Sequence, residues 1–409
     1  GGIAISYKEV NTTPYQILST DSFLGVSTLA GTMMLSLNDN AVVNQNLKIM
    51  DAQGNSSINR INIFGNIANP NNLAVLSTLN VGSSPCECAI TPNGKYAYII
   101  NGNSNNVTII KDLDTFTPSV LKTIAVGQVP YDVKITPNGN FVYICNNDSN
   151  NVTVIKDAST SNPTVLRTLT VGSNPQVLLI SPDGSNVYVL CPAAKRVYFL
   201  YMASSSPQVG IYITTGEAPI SMATSPDGNF LYILNHDSNS VTVIKDAFTS
   251  PAFLTTINVG INPYSIKFTP DGNYAYIYCC GSSPASISVI KNANTTAPSL
   301  INSLNVNAVT PAYLNKAIMQ ITPDGKYLYV GNANMGITTT TVFKDVSTDN
   351  PTFLKTINTG TNSNAIIMSQ DGKFAYVSNT QYGISLIKNI GTDYPIAVTG
   401  LNFTENPPV

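Results

Sequence analysis

The sequence predicts an all-β propeller of four-stranded antiparallel blades. Three observations carry that expectation. A unit of 44–53 residues recurs along the chain, each copy holds four short β-rich runs, and the middle runs are apolar on both faces. Internal repetition is weighed first because it decides the fold before any local motif does.

The repeat is clearest from Pro137 to Gly172, "PNGNFVYICNNDSNNVTVIKDASTSNPTVLRTLTVG". Turns of Pro-Asp/Asn-Gly type centre on Asn93, Asn138, Asp183, Asp227, Asp271, Asp324 and Asp371, at intervals of 45, 45, 44, 44, 53 and 47 residues. Proline presets φ, Asp or Asn bonds back to the backbone, and glycine supplies a positive φ, so these residues mark turns and not acid catalysts. Four runs follow one another in each copy, A to D. In the second copy they read "YDVKIT", "FVYIC", "VTVIK" and "TVLRTLTV". Val, Ile, Tyr and Thr between Gly, Pro and Asn punctuation read as strands joined by turns. In "VTVIK" Val152 and Val154 point one way, Thr153 and Ile155 the other. A sheet with one wet face would alternate apolar and polar residues. Sheets greasy on both sides need cover on both, which a radial array of blades supplies.

Upstream the pattern decays. Residues 1–30 are irregular and read as an N-terminal extension, with "PYQILST" (Pro14–Thr20) as a ring-closing or partner-pairing strand. Residues 31–409 read as a single propeller domain. A degraded turn at Asn38-Asp39-Asn40 and "INIFGNIANPNNLAVLSTLNVG" (Ile61–Gly82) add a partial unit ahead of seven clear ones. The count therefore stands at eight blades, the first degenerate, or seven plus an N-terminal β extension.

"VGQVPYDVKITPNGNFVYICNNDSNNVTVIKD" resembles the YVTN-type β-propeller repeat of surface-layer-related proteins, with "VGSNP", "SPDG", "VYV" and "SNSVTVIKD" recurring in order. The resemblance covers residues 77–389 well and 31–76 poorly. It implies a propeller and a cell-surface setting, and no reaction.

Composition narrows the function classes. Lys plus Arg total 20 and Asp plus Glu 22, a balance that speaks against nucleic acid or a polybasic membrane surface. Charged residues make up 10% of the chain, far below the usual ~25%. Solubility rests on Asn, Ser and Thr, which points to an extracellular or cell-surface protein. No apolar run is long enough for a membrane helix. The chain opens on Gly1-Gly2, as a processed form does. The triplets at Asn11, Asn55, Asn106, Asn147, Asn151, Asn294 and Asn402 are candidate glycosylation sites if it is secreted. The six cysteines lack metal spacing. They read as buried thiols, with Cys86, Cys88, Cys279 and Cys280 as disulfide candidates.

Candidate binding residues come from the B–C and D–A loops. Asn146, Asp148, His236 and Asp237 lie in Asn-rich B–C loops that loop chemistry alone also explains. Tyr131 and Tyr264 follow the D–A proline, at positions shared with Cys86, Gln176 and Ile220, and offer faces for stacking on a sugar. Tyr313 sits in a lengthened D–A loop, and two B–C loops are lengthened as well, at Cys279–Ser286 and Asn332–Thr340. Recurring Lys-Asp pairs, such as Lys156-Asp157, read as a solvated rim. His236 is the single histidine, and no G-x-S-x-G elbow, P-loop, dinucleotide fingerprint or metal cluster appears. No cofactor is implied. The expectation is a non-enzymatic, self-assembling surface-layer, filament or adhesive subunit, a homo-oligomer or surface assembly. A glycan- or peptide-binding module is the alternative, and a lactonase- or lyase-like enzyme ranks last.

Overall fold

The computed structural model describes residues 33–36, 60–66, 73–115, 117–201, 206–282, 284–306, 318–331, 338–361, 363, 365–369, 371–379 and 383–398. The described residues are all-β and build seven four-stranded antiparallel sheets, the blade construction of a β-propeller. They part into two compact units at Thr214/Thr215.

The first unit holds three blades. Blade 1 comprises Pro85–Ile90, Ala97–Asn101, Asn106–Lys111 and Ser119–Ala125, and blade 2 Pro130–Ile135, Phe141–Asn146, Asn151–Lys156 and Thr164–Thr170. Blade 3 comprises Val177–Ile180, Asn186–Cys191, Arg196–Tyr201 and Gln208–Thr214. The second unit holds blade 4, from Pro219–Thr224 to Ala252–Asn258, and blade 5, from Pro263–Phe268 to Ser299–Asn305. Blades 6 and 7 follow, Met319–Ile321 to Thr352–Asn358 and Ala365–Met368 to Ile396–Val398. In every blade the four strands, A to D, pair in chain order.

Among the described residues the partial unit upstream has three strands, one short of a blade. Met33–Ser36, Arg60–Asn66 and Leu73–Asn80 form a three-stranded sheet whose first two strands run parallel. No blade contains a parallel pair. Seven blades preceded by a β extension is thus the arrangement among the described residues. "PYQILST" lies outside them.

Burial follows the two-faced pattern of the sequence. Val152 and Val154 pack into a core shared with blade 3, while Ile155 packs into one shared with blade 1. In the second unit, equivalent cores join blades 4 and 5, 5 and 6, and 6 and 7. Each fully buried Val or Ile contributes about 1.5–3 kcal/mol, so the interleaved faces are the chief source of cohesion. Strand D carries the solvent edge, with Phe253 and Phe353 exposed.

The turns are built as their residues require. In blade 2 the Thr136 hydroxyl donates to Asn138 Oδ1 at 2.7 Å, and the Asn140 and Phe141 amides donate to Asn138 Oδ1 and Thr136 Oγ1. Gly139 takes φ +70°. The Lys-Asp pairs have a backbone reason beyond their charge: Asp112, Asp157, Asp246 and Asp345 all adopt left-handed φ of 54–60° where strand C leaves the sheet, a region Asp tolerates. B–C loops bond back to the preceding D–A loop, as where Asn147 N–H donates to the Val129 carbonyl at 2.9 Å. This places strand A of each blade beside both loops.

Candidate functional site

The first step into strand A is a β-bulge. In blade 2, Pro130 pairs with Asn146 and Asp132 with Cys145, so Tyr131 is left between them without a partner in the ladder. Bulges re-aim side chains, and this one leaves Tyr131 half exposed. Beyond it, Asp132 and Lys134 stand two residues apart and share one face of the strand. Glu87 occupies the place of Asp132 in blade 1, also just after a bulge.

The three side chains meet. The Lys134 ammonium pairs with Asp132 Oδ1, and with Glu87 Oε1 at 3.3 Å. Lys134 Nζ also donates to the Val133 carbonyl at 3.2 Å. Asp132 Oδ2 accepts the Leu178 N–H of blade 3 at 2.7 Å. All three side chains are 8–14% exposed. Burial opposes the charge on Lys134, but Asp132 and Glu87 outweigh it and hold the ammonium well above the usual lysine range. The cluster carries two carboxylates against one ammonium, and it is enclosed where such charges interact strongly. Placing ions there is costly unless they are paired, which is why both carboxylates converge on one amine.

The surroundings fix the protonation of the neighbours. Burial, reinforced by Cys145, Cys86, Glu87 and Asp132, raises the Tyr131 phenol, which therefore stays protonated and able to donate. Burial, then Glu87, pushes the Cys86 thiol up to about 11, and Cys88 and Cys145 are raised for the same first reason. Thiols held in this state are poor nucleophiles. All six cysteines are free, and five are buried. Strain lies beside the site as well. Val129, immediately before Pro130, has φ +51°, a genuine outlier for a β-branched residue. Asn105 Oδ1 holds it by accepting its N–H at 2.8 Å.

The other residues singled out from sequence do not converge. Tyr264 is Tyr131's counterpart in blade 5 but packs against the core of blades 5 and 6. Asn146 is fully buried, its amide donating to Asn151 Oδ1 and Thr153 Oγ1 at 2.8 and 2.9 Å. Asp148 is exposed on its loop. His236 Nδ1 contacts Asp237 Oδ1 at 2.6 Å, and the His236 N–H donates to the Ala218 carbonyl. Among the triplets, Asn106 and Asn151 open strand C with their oxygens bonded to Asn101 and Asn146. Asn147 is largely buried and accepts from Asn174, and Asn294 donates to the Asp271 carbonyl. Tyr313, Asn11, Asn55 and Asn402 lie outside the described residues, as does most of the lengthened D–A loop. Among the described residues no group of three or more His, Cys, Asp or Glu is placed to hold a metal.

Glu87, Asp132 and Lys134 escaped motif reading because Glu87 belongs to a different repeat from the other two. Glu87 and Asp132 are 45 residues apart, one repeat length, and only blade packing brings them together. A signal was present. The second residue after the D–A proline is acidic in the first two copies, whereas it is Val177, Ser221 and Ser265 in the next three.

Residues 65–180 match the family model described as "Lactonase, 7-bladed beta-propeller". No protein of curated function matches the chain in sequence. Among solved structures, Kuenenia stuttgartiensis hydrazine synthase is similar at TM-score 0.51 and 21% identity, over 76% of this chain and 94% of that one. A putative 6-phosphogluconolactonase from Bacteroides uniformis gives TM-score 0.51 and 18% identity, over 69% and 88%. The dihydro-heme d1 dehydrogenase NirN gives 0.55 and 18%, over 74% and 62%. At such identities the likeness carries the fold, a β-propeller. These findings overturn two expectations, that the chain is a structural, self-assembling surface subunit and that it is not an enzyme. The matching family model is a lactonase's and not a surface-layer one, and the similar propellers bear enzymes' names. The physical reason for the error is that a search for linear motifs sees only residues close in sequence, whereas this ionisable cluster is assembled across repeats.

Proposed function

We propose that the chain is a lactonase-like hydrolase that opens a cyclic ester at the Glu87–Lys134–Asp132 cluster. One observation carries this reading. A buried ammonium is gripped by carboxylates of adjacent blades at the foot of a half-exposed, bulged tyrosine, and all four residues fall within the stretch that the lactonase model matches.

Roles follow from the contacts. Asp132 is committed on both oxygens, to Lys134 and to the Leu178 N–H, and acts as the positioning anchor. Glu87 has the looser contact with the ammonium and is assigned as general base. It takes a proton from water as the water adds to the lactone carbonyl. The ring C–O bond then breaks, and the departing alkoxide recovers that proton, so lactone plus water gives one hydroxy acid. Tyr131, held as a protonated phenol, donates to the developing oxyanion, and Lys134 holds Glu87 in place and offsets part of the carboxylates' charge. The YVTN-type look of the repeat supports kinship among the blades as a scaffold. It does not bear on strand A, where the chemistry is placed.

The test is hydrolysis of a panel of aliphatic and sugar γ- and δ-lactones, followed by pH-stat near neutrality. General-base loss is worth about 10²–10⁴-fold, and Glu87→Gln is expected to fall in that range while Tyr131→Phe falls less. Rates at buffer level across the panel, or an unchanged Glu87→Gln, would sink the proposal.

A further inference from the structure

Lys134 has a counterpart in blade 5. Lys267 lies at the same step of strand A, four residues after the proline, and pairs across to Tyr276 as Lys134 pairs to Tyr143. The two lysines differ in what surrounds them. The positions that hold Glu87 and Asp132 around Lys134 are taken by Ser221 in blade 4 and Ser265 in blade 5. Both serines are buried. Strands A of these two blades adjoin within the second unit, as those of blades 1 and 2 do within the first. The chain thus presents the same scaffold twice, once with its carboxylates and once with serines in their stead.

The consequence for Lys267 is a cation with no counter-ion among the described residues. Burial alone pulls its pKa below the usual lysine value, and no carboxylate offsets that among the described residues. The side chain is largely enclosed but keeps a partly exposed edge. Burying an unpaired ammonium is unfavourable, and the remedy used in blades 1 and 2 is a carboxylate brought against the amine.

We propose that Lys267, flanked by Ser221 and Ser265, is a binding site for the carboxylate of a small organic acid. The ligand's carboxylate takes the place that Glu87 and Asp132 fill around Lys134, the ammonium supplies the charge, and serine side chains line the acceptor oxygens. This site lies within the second unit and does not depend on the reaction proposed for the first.

The experiment uses the full chain with its lysines dimethylated by ¹³C-formaldehyde, the Lys267 resonance being assigned by its loss in Lys267→Met. Sodium acetate is titrated against sodium chloride and sodium phosphate at constant ionic strength. Acetate is expected to move the Lys267 resonance saturably and to raise its titration midpoint, leaving the other lysines unmoved. Ser265→Asp and Ser221→Glu, which restore the carboxylates of blades 1 and 2, are expected to raise the midpoint without acetate and to abolish the acetate response. Equal movement in acetate and chloride overturns the proposal, as does a stronger response to phosphate or an acetate response that survives both substitutions.

Discussion

Asp132 of blade 2 accepts the main-chain N–H of Leu178 in blade 3 at 2.7 Å, so a side chain does the work of a ladder hydrogen bond between blades. The same carboxylate neutralises Lys134, which reaches back to Glu87 of blade 1. One residue thereby ties three consecutive blades through their A strands. Removing one partner of a buried pair leaves an uncompensated charge and costs about 3–5 kcal/mol. Asp132→Ala is expected to lose stability on that scale. Asp132→Asn, which keeps an acceptor for Leu178, should lose less. Urea unfolding of both variants measures this, and equal losses would mean that the Leu178 bond contributes nothing.

Val129 shows the opposite sign. It holds φ +51° directly before Pro130, while blades 3 and 5 place Asn174 and Asn262 at the same point, with φ of 62° and 53°. A β-branched residue there stores strain of about 1–3 kcal/mol, and asparagine tolerates the region far better. Val129→Asn is therefore expected to raise the thermal midpoint, by a few degrees for each kcal/mol recovered. If the strain also helps to aim Tyr131, lactone turnover should fall as stability rises. A variant no more stable than the parent would show that the loop relaxes on its own.

The blades were legible because their determinants are local. Turn segments such as Thr136-Pro137-Asn138-Gly139 specify their own hydrogen bonds, and the alternation in "VTVIK" specifies which cores Val152 and Ile155 enter. The site was illegible because its determinant is a difference between repeats. Glu87 and Asp132 break no local rule of strand chemistry, and they carry meaning only once blade packing sets them around Lys134. Loop asparagines misled in the converse way. Asn146 looked like a ligand contact in an Asn-rich loop, yet its amide is spent on Asn151 and Thr153 within the blade.

Two tyrosines on one strand separate hydrogen bonding from burial. Tyr276 and Tyr278 are both fully buried. The Tyr276 hydroxyl donates to the Val346 carbonyl of blade 6 at 2.6 Å, the same lock by which Tyr232 reaches Ala293 and Tyr329 reaches Ile390. The Tyr278 hydroxyl has no partner among the described residues. Leaving a buried carbonyl unsatisfied costs about 1–3 kcal/mol, so Tyr276→Phe is expected to destabilise by that much. Tyr278→Phe removes an unsatisfied group and is expected to be neutral or stabilising. Denaturation of the two single variants tests the contrast, and equal losses would contradict it.

The acidic turns give the stability a pH dependence whose sign is fixed. Asp227 accepts from the Ser225 hydroxyl and the Asn229 amide on Oδ1, and from Asn229 Nδ2 on Oδ2. Burial resists its ionisation, but these donors together outweigh burial and hold the carboxyl below its ordinary value. Asp183, Asp271 and Asp371 are lowered by the same balance. A carboxyl whose folded pKa lies below its unfolded value, about 3.9, stabilises the fold above that value. The contribution is lost as pH falls through the folded pKa. Blades 1 and 2 build the same turn on Asn93 and Asn138, whose oxygens accept the equivalent hydroxyl and amide bonds. Asp227→Asn should therefore preserve the turn while deleting the charge. It is expected to be less stable than the parent at pH 7, with the gap narrowing as pH falls past the unfolded carboxylate value of about 3.9 and vanishing once Asp227 itself is protonated in the folded protein. Urea midpoints for both proteins at several pH values across that range provide the measurement. A gap that stays constant with pH would assign the loss to packing and remove the carboxylate's charge from the account.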